Sequence, residues 1–282
     1  MGGDGVIVTD SVLAATLAAA GTQNNPFLAH CNIGATGTVA TGVGTELSAA
    51  VNAVSGGTYN FWACTPNLSD LATLNFSFAS AKTINFIGIA AHNLGSIGAV
   101  VRVRYSLDAG ATYINLAGGD ITPLDDAAIG VRFPAVSATH WQIRAVVASG
   151  EDVVIGVALL STVLDLPSRI YQGYTPPITQ TRVELLSNLS EGGHILGTSY
   201  VRRGSQISAA LKYLPAAFVR GTEWINFQRA FNQGRPIFWA WRPGKYGDIF
   251  YGVRGGNELV PTNSGPLDLM SATLDMAVYD DV

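Results

Sequence analysis

Charge is scarce in this sequence: Asp, Glu, Lys and Arg make up 13% of its 282 residues, against a hydrophobic share of 48%. That balance excludes an intrinsically disordered chain, which combines high charge with low apolar content. The net charge of −4 is unevenly held, with 5 basic and 11 acidic residues in 1–165 but 11 basic and 9 acidic in 166–282. Neither half gathers the Lys and Arg that a nucleic-acid groove needs. Cysteine is nearly missing. Cys31 and Cys64 cannot build a disulfide framework and sit in no CxxC pair of the kind that holds zinc. Two buried free thiols or one disulfide are the readings left. Long apolar runs are also lacking. The nearest approach, Val12–Ala20 (VLAATLAAA), is too short to span a bilayer. It follows Asp4 and Asp10 but no Lys or Arg, unlike a signal peptide. It reads as a strand or short helix at a domain edge, in a soluble chain made in the cytoplasm.

Catalytic patterns are missing as well. There is no GxSxG, HExxH, GxGxxG or Walker pattern, and Gly42–Gly44 and Gly192-Gly193 read as turns. The histidines, His30, His92, His140 and His194, are scattered without metal-ligand spacing. His92 follows an apolar strand and reads as a loop-end hydrogen-bonder. Asp120, Asp125 and Asp126 do not follow the EF-hand pattern and read as a solvated acidic loop. The expectation is a protein that is not an enzyme, with no cofactor, no metal and no catalytic residue.

What is abundant is β patterning. Leu74, Phe76 and Phe78 alternate with Asn75 and Ser77; Val101, Val103 and Tyr105 with Arg102 and Arg104; Trp141, Ile143 and Ala145 with Gln142 and Arg144. Period-2 alternation puts one face in a core and the other in water. Ile84–Ala91 and Val153–Leu160 are continuous apolar runs, expected of central strands covered on both faces. Asp108-Ala109-Gly110 supplies a hairpin turn. The stretch Leu166–Pro177 holds three prolines and a glycine and reads as a linker. Residues 1–165 are therefore expected to form one β-sandwich domain and 178–282 a second. In the second, a helix fits Pro215–Asn232, with Phe218, Trp224, Ile225, Phe227 and Phe231 as its apolar stripe. Strands follow at Ile237–Trp241, at Ile249–Val253 and, with Met270, Ala272, Leu274, Met276 and Val278 on one face, at the end.

Two resemblances rest on these segments. NFWAC (with Trp62), LNFSFASAKTINFIGIAAHN, VRYSLDAGATYINL, HWQIRA and VVIGVALL, spanning 61–160, resemble the discoidin, or galactose-binding-like, jelly-roll family. Tyr113 stands where that family's hairpin commonly ends on Trp. The resemblance implies the fold; sugar or calcium binding lives in loops that differ between members. VELLSNLSEGGHILGTSYVRRG, RPIFWAWRPGKYGDIFYG and SGPLDLMSATLDMAVYDD resemble the C-terminal domain of tail-tip proteins of long-tailed bacteriophages. Those domains belong to the tail-tube family of folds, a β-sandwich with one flanking helix. That likeness implies a structural protein of the virion tail, a distal tail or baseplate protein. Its partners would be copies of itself, commonly in a hexameric ring, the tail-tube protein, and hub and fibre proteins. An alternative is a carbohydrate-binding protein of the virion whose jelly roll touches host surface glycan.

Trp and Arg concentrate where protein surfaces meet. Arg202, Arg203, Trp239, Trp241 and Arg242 are accordingly the candidate subunit contacts. Ile237–Trp241 (IFWAW) is apolar on both faces, so something must cover the second: the flanking helix, or a neighbouring subunit.

Overall fold

The computed structural model describes residues 5–116, 119–148, 150–170, 173–175, 181–264 and 267–279, without the side chains of 175, 181–187 and 198–204. The chain is mainly β. Its strands are β1 (Val6–Thr9), β2 (Phe27–Ala29), β3 (Thr38–Val43), β4 (Thr45–Ser48), β5 (Trp62–Thr65), β6 (Leu71–His92), β7 (Val100–Ser106), β8 (Ile114–Asn115), β9 (Ile129–Val146) and β10 (Val153–Ser161). They continue with β11 (Leu164–Asp165), β12 (Tyr174–Thr175), β13 (Thr181–Leu189), β14 (Ile195–Pro215), β15 (Ile237–Ala240), β16 (Phe250–Arg254), β17 (Thr262–Asn263) and β18 (Leu269–Val278). The helices are α1 (Ser11–Ala19), α2 (Ala216–Val219) and α3 (Thr222–Asn232).

The first sheet runs β4-β5-β10-β6-β9-β7-β8, with β1 on β9 and β3 on β6. Its two longest strands, β6 and β9, pair over their length but lose register between Ser77 and Lys82 and between Ile84 and Phe86. Breaks of this kind let a strand bend from one layer into the next. The rolled sheet encloses a core that includes Trp62, Phe76, Ile87, Ile89, Phe133, Trp141, Ile143 and Ile155. The alternating residues expected to face inward do so: Leu74, Phe76, Val101, Trp141 and Ile143 are at most 1% exposed.

The second sheet runs β11-β2-β15-β16-β18-β14-β12, with β13 on β14 and β17 on β18. Two of its strands come from before residue 166: β2 pairs with both β15 and β11. The strand pairing therefore crosses the division expected at 166–177. The start of that Pro-rich stretch packs into the second core, where Leu166 and Ile170 are buried; residues 171–172 and 176–177 lie outside those described.

The helix expected over Pro215–Asn232 is two helices. β14 continues to Pro215, and α2 stops before Gly221, which is extended (φ −69°, ψ 147°) and serves as the N-cap of α3. Glycine is a poor helix former and tolerates this exit and re-entry. Trp224, Phe227 and Phe231 are buried as the stripe predicts, but Ile225 is 40% exposed.

The cover over β15 comes from inside the chain, on both sides. Ile237 and Trp239 join the core under α3, which contains Trp224, Phe227 and Phe231. Phe238 and Ala240, pointing the other way, join a third core built from both sheets, with Phe86, Ala90, Val157 and Leu159 of the first and Tyr251 and Phe27 of the second. This third core is also what covers the outer face of β6 and β10. Two glycines make room for it. Gly88 and Gly130 are direct cross-strand partners in β6 and β9. A Cβ at Gly88 would lie 2.5 Å from the Phe238 ring, and one at Gly130 2.5 Å from Ile249 Cδ1. The paired glycines form a recess that seats both side chains.

Two polar links fasten the same junction. Arg132 of β9 is 4% exposed, its Nη2 donates to both carboxylate oxygens of Asp165 at 2.7 Å, and its guanidinium lies 4.7 Å from the Phe27 ring centroid. The Tyr251 hydroxyl donates to the Gly56 carbonyl at 2.7 Å.

Candidate functional site

The five sequence candidates do not fall into one patch. Trp239 has no exposed surface and lies in the α3 core, so it supports the fold and is not a contact for a neighbour. Trp241 and Arg242, just past β15, are half-buried at a surface corner. Trp241 stacks between Tyr174 (centroids 4.4 Å, interplanar 27°) and Tyr246 (5.4 Å, 13°). Arg242 sits 5.2 Å from the Trp241 ring. Its carbonyl accepts from Lys245 and Tyr246 to close the turn. Neither Trp241 Nε1 nor Arg242 Nε has an acceptor among the described residues. Arg202 and Arg203 take backbone positions opposite Glu184 and Val183; their side chains lie outside those described.

Those two arginines sit on the most distinctive feature of the second half, the β13–β14 hairpin. Residues 205–215 of β14 pair with β18, whose last paired residue, Val278, lies opposite Ser205. Residues 195–205 pair with β13. Among the described residues no third strand flanks Arg182–Gly204, so a two-stranded ribbon extends past the sheet. At ~3.3 Å per residue it is roughly 30 Å long. Its tip turns through Ser190–His194, closed by Ser190 N–H to the His194 carbonyl at 2.9 Å and Gly193 N–H to the Ser190 carbonyl at 2.9 Å. Gly193 has φ +79°, as this turn requires. Beside the turn Leu189 pairs with Ile195, and Leu189, Ile195 and Leu196 are 61%, 75% and 69% exposed.

The first half carries a separate exposed apolar group. Ser48 Oγ and Asn52 Nδ2 both donate to the Phe61 carbonyl, at 2.7 and 3.1 Å. This draws Leu47 and Val51, their exposed neighbours, towards half-exposed Phe61, with Tyr59 two residues away and 81% exposed. β4 is the end strand of its sheet, so the group lies on an edge.

Asp120, Asp126 and His92 are engaged in structure. Asp120 holds Arg102 at 2.5 Å, and Asp126 Oδ1 accepts from Gly95 N–H (2.8 Å) and Ser96 N–H (2.9 Å). His92 is buried at the end of β6; its Nε2 bonds the Ala127 carbonyl at 2.9 Å and its Nδ1 accepts from Leu94 N–H at 3.2 Å. This bonding fixes the neutral Nε2–H tautomer, and burial holds the ring's pKa below the usual histidine value. Among the described residues no group of three or more His, Cys, Asp or Glu is arranged to hold a metal, and no helix is long and apolar enough to cross a membrane. Cys64 is buried, with its thiol pushed up to about 11 chiefly by desolvation. Cys31 is a free thiol and exposed, not buried as expected.

No family model matches the chain, and no curated protein does. Solved structures are similar in fold. The CBM32-5 module from Clostridium perfringens, in complex with GalNAc-β-1,3-galactose, is 14% identical, with 46% of this chain covering 97% of the module at a TM-score of 0.39. Chitosan-binding module 1 from a Paenibacillus sp. IK-5 chitosanase/glucanase is 16% identical, with 46% and 98% covered and a TM-score of 0.39. The Ruminococcus gnavus GH29 fucosidase in complex with fucose is 12% identical, with 48% of this chain matched and a TM-score of 0.40; the chain spans 27% of the fucosidase.

Proposed function

We propose that this chain is a non-enzymatic assembly protein that binds other copies of itself through its second sheet and presents its jelly roll outward. The observation that carries this reading is the β13–β14 ribbon. A two-stranded hairpin in water is marginal on its own, and among the described residues nothing pairs with the outer edges of this one along Arg182–Gly204. It also ends on exposed Leu189, Ile195 and Leu196. A neighbour that pairs with the ribbon or covers it supplies what the chain lacks. The more particular reading, a virion tail-tip protein forming a ring of about six copies and meeting tube, hub and fibre proteins, rests on the sequence resemblance. The solved structures described above do not bear on it.

The ribbon can be removed cleanly. Arg182 and Gly204 are direct partners, so an Asn-Gly turn can replace 183–203 and close the hairpin there. This variant is expected to keep the far-ultraviolet spectrum and melting behaviour of the remaining sheet while losing self-association on sedimentation. Unchanged association would move the contact elsewhere.

A second reading concerns the first half. Exposed Tyr59, with Phe61 nearby, is an aromatic on a loop, the feature that favours a glycan-contacting jelly roll because sugar rings lie against aromatic faces. Tyr59→Ala should lower binding on a host-polysaccharide array about tenfold, corresponding to roughly 1–1.5 kcal/mol, with no change in folding. Binding that is absent from the native protein, or indifferent to Tyr59, removes this reading.

A further inference from the structure

The first sheet rolls into two layers whose outer faces point opposite ways. The third core covers the outer face of one, the second half of β6 with β10. The other layer is the first half of β6 with the second half of β9 and β7. Its inward residues, among them Phe76, Trp141 and Val103, belong to the first core. At the centre of its outward face stand two cross-strand rows: Thr73, Arg144 and Arg102, then Asn75, Gln142 and Arg104. None of the six is apolar, and none is a carboxylate.

Residues 1–165 hold 5 basic residues against 11 acidic, yet three of the five stand in these two rows. Arg102 and Arg144 are direct partners, and like charges directly opposite destabilise a sheet. Arg104 lies on the diagonal from Arg144, roughly 7–8 Å away between backbone positions. Asp120 neutralises Arg102, accepting from its Nε at 2.5 Å. Among the described residues no carboxylate is within ion-pair distance of Arg104 or Arg144. Arg104 is held rigidly all the same. Its Nε donates to Gln142 Oε1 at 2.9 Å, and its Nη2 bonds the same oxygen. Gln142 is 5% exposed and is fixed in turn by its Nε2 donating to Asn75 Oδ1 at 2.8 Å. The Tyr113 ring lies 5.2 Å from the Arg104 guanidinium carbon. One neutral amide oxygen thus orients the guanidinium and leaves the rest of its five N–H groups for another acceptor. Burial and, next, the Arg144 charge hold Arg104 below the usual arginine value, so this face is short of negative charge.

We infer that this face binds an acidic polysaccharide, with Arg144 and Arg104 taking the carboxylates of its uronic acid units. A guanidinium fork matches a carboxylate with two parallel hydrogen bonds. A protein partner fits less well, because the centre of a protein interface is apolar and aromatic and these six positions are neither. Nucleic acid also fits less well, since its affinity comes from many Lys and Arg contacts to phosphate and acidic residues outnumber basic ones in this half. The site is separate from the ribbon and from the edge at Tyr59, and a monomeric chain would bind in the same way.

Fluorescence anisotropy of a labelled oligogalacturonate with the full chain tests this, with an uncharged dextran oligomer and polyaspartate for comparison. The oligogalacturonate should bind where dextran does not, with affinity falling as salt rises. Arg144→Gln should weaken binding about tenfold or more. The same change should leave the melting temperature unchanged or higher, because it removes one of two facing like charges. Arg144→Lys keeps the charge but not the fork, and should recover only part of the binding. No binding by the native chain, or binding indifferent to Arg144→Gln, would overturn the inference. Dextran bound as tightly as the uronate would overturn it by removing the role of charge. Polyaspartate bound as tightly would overturn it by making the face a site for acidic protein. Binding lost in Tyr59→Ala but kept in Arg144→Gln would place the glycan on the β4 edge instead.

Discussion

Phe238→Ala is expected to lower the free energy of unfolding by about 3–5 kcal/mol, the usual cost of emptying an aromatic site in a closed core. Phe238 is fully buried between the sheets, with Tyr251 at 4.8 Å and Phe86 at 5.7 Å between ring centroids. Its ring fills the recess left by Gly88, so nothing nearby can collapse into the space without moving a strand. The reverse change probes the same site: Gly88→Val places methyl groups where the ring already is, 2.5 Å from the Cβ position. Because backbone pairing holds both strands, overpacking should cost about 1–3 kcal/mol or more. Denaturant unfolding checks both variants; a loss below 1 kcal/mol for Phe238→Ala would mean that the third core is not packed as described.

Asp165→Ala should be nearly as damaging. Removing one partner of a buried ion pair leaves an uncompensated charge, which costs about 3–5 kcal/mol. The Asp165 side chain is 49% exposed while that of Arg132 is 4% exposed, so water relieves part of the penalty and the lower end, about 3 kcal/mol, is expected. The origin of the loss is separable. If it comes from the stranded guanidinium, Arg132→Met combined with Asp165→Ala should recover most of the stability, because an apolar side chain of similar length has no charge to solvate. A double variant as unstable as the single would assign the loss to packing around Phe27 instead.

These two sites mark where sequence reasoning stopped. The alternation in β6, β7 and β9, the closing strand Leu269–Val278 and the buried stripe of α3 were legible because local periodicity reports which face is inside. The unbroken apolar runs at Ile84–Ala91 and Val153–Leu160 correctly announced two covered faces. What covered the second face was not legible, since most of the partner, Phe238, Ala240, Ile249 and Tyr251, lies more than 70 residues away in sequence. β2 is only Phe27–Ala29, too short to carry a period, yet it joins the second sheet to the N-terminal segment. Trp239 illustrates the same limit. Its composition suits an interface as well as a core, and burial, which separates the two, is a property of the whole fold. Of the ribbon, only the turn at Gly192-Gly193 was visible; its projection depends on β18 ceasing to pair at Val278, opposite Ser205.

The central claim is that the chain works as an assembly of copies. Its most direct test is the mass of the purified protein in solution, by light scattering or sedimentation across a wide concentration range, with electron micrographs of the same sample. The account predicts a closed multimer of defined mass, seen as rings, that loses this mass when 183–203 are replaced by Asn-Gly. A single monomer mass at all concentrations, with a featureless field of small particles, would contradict it.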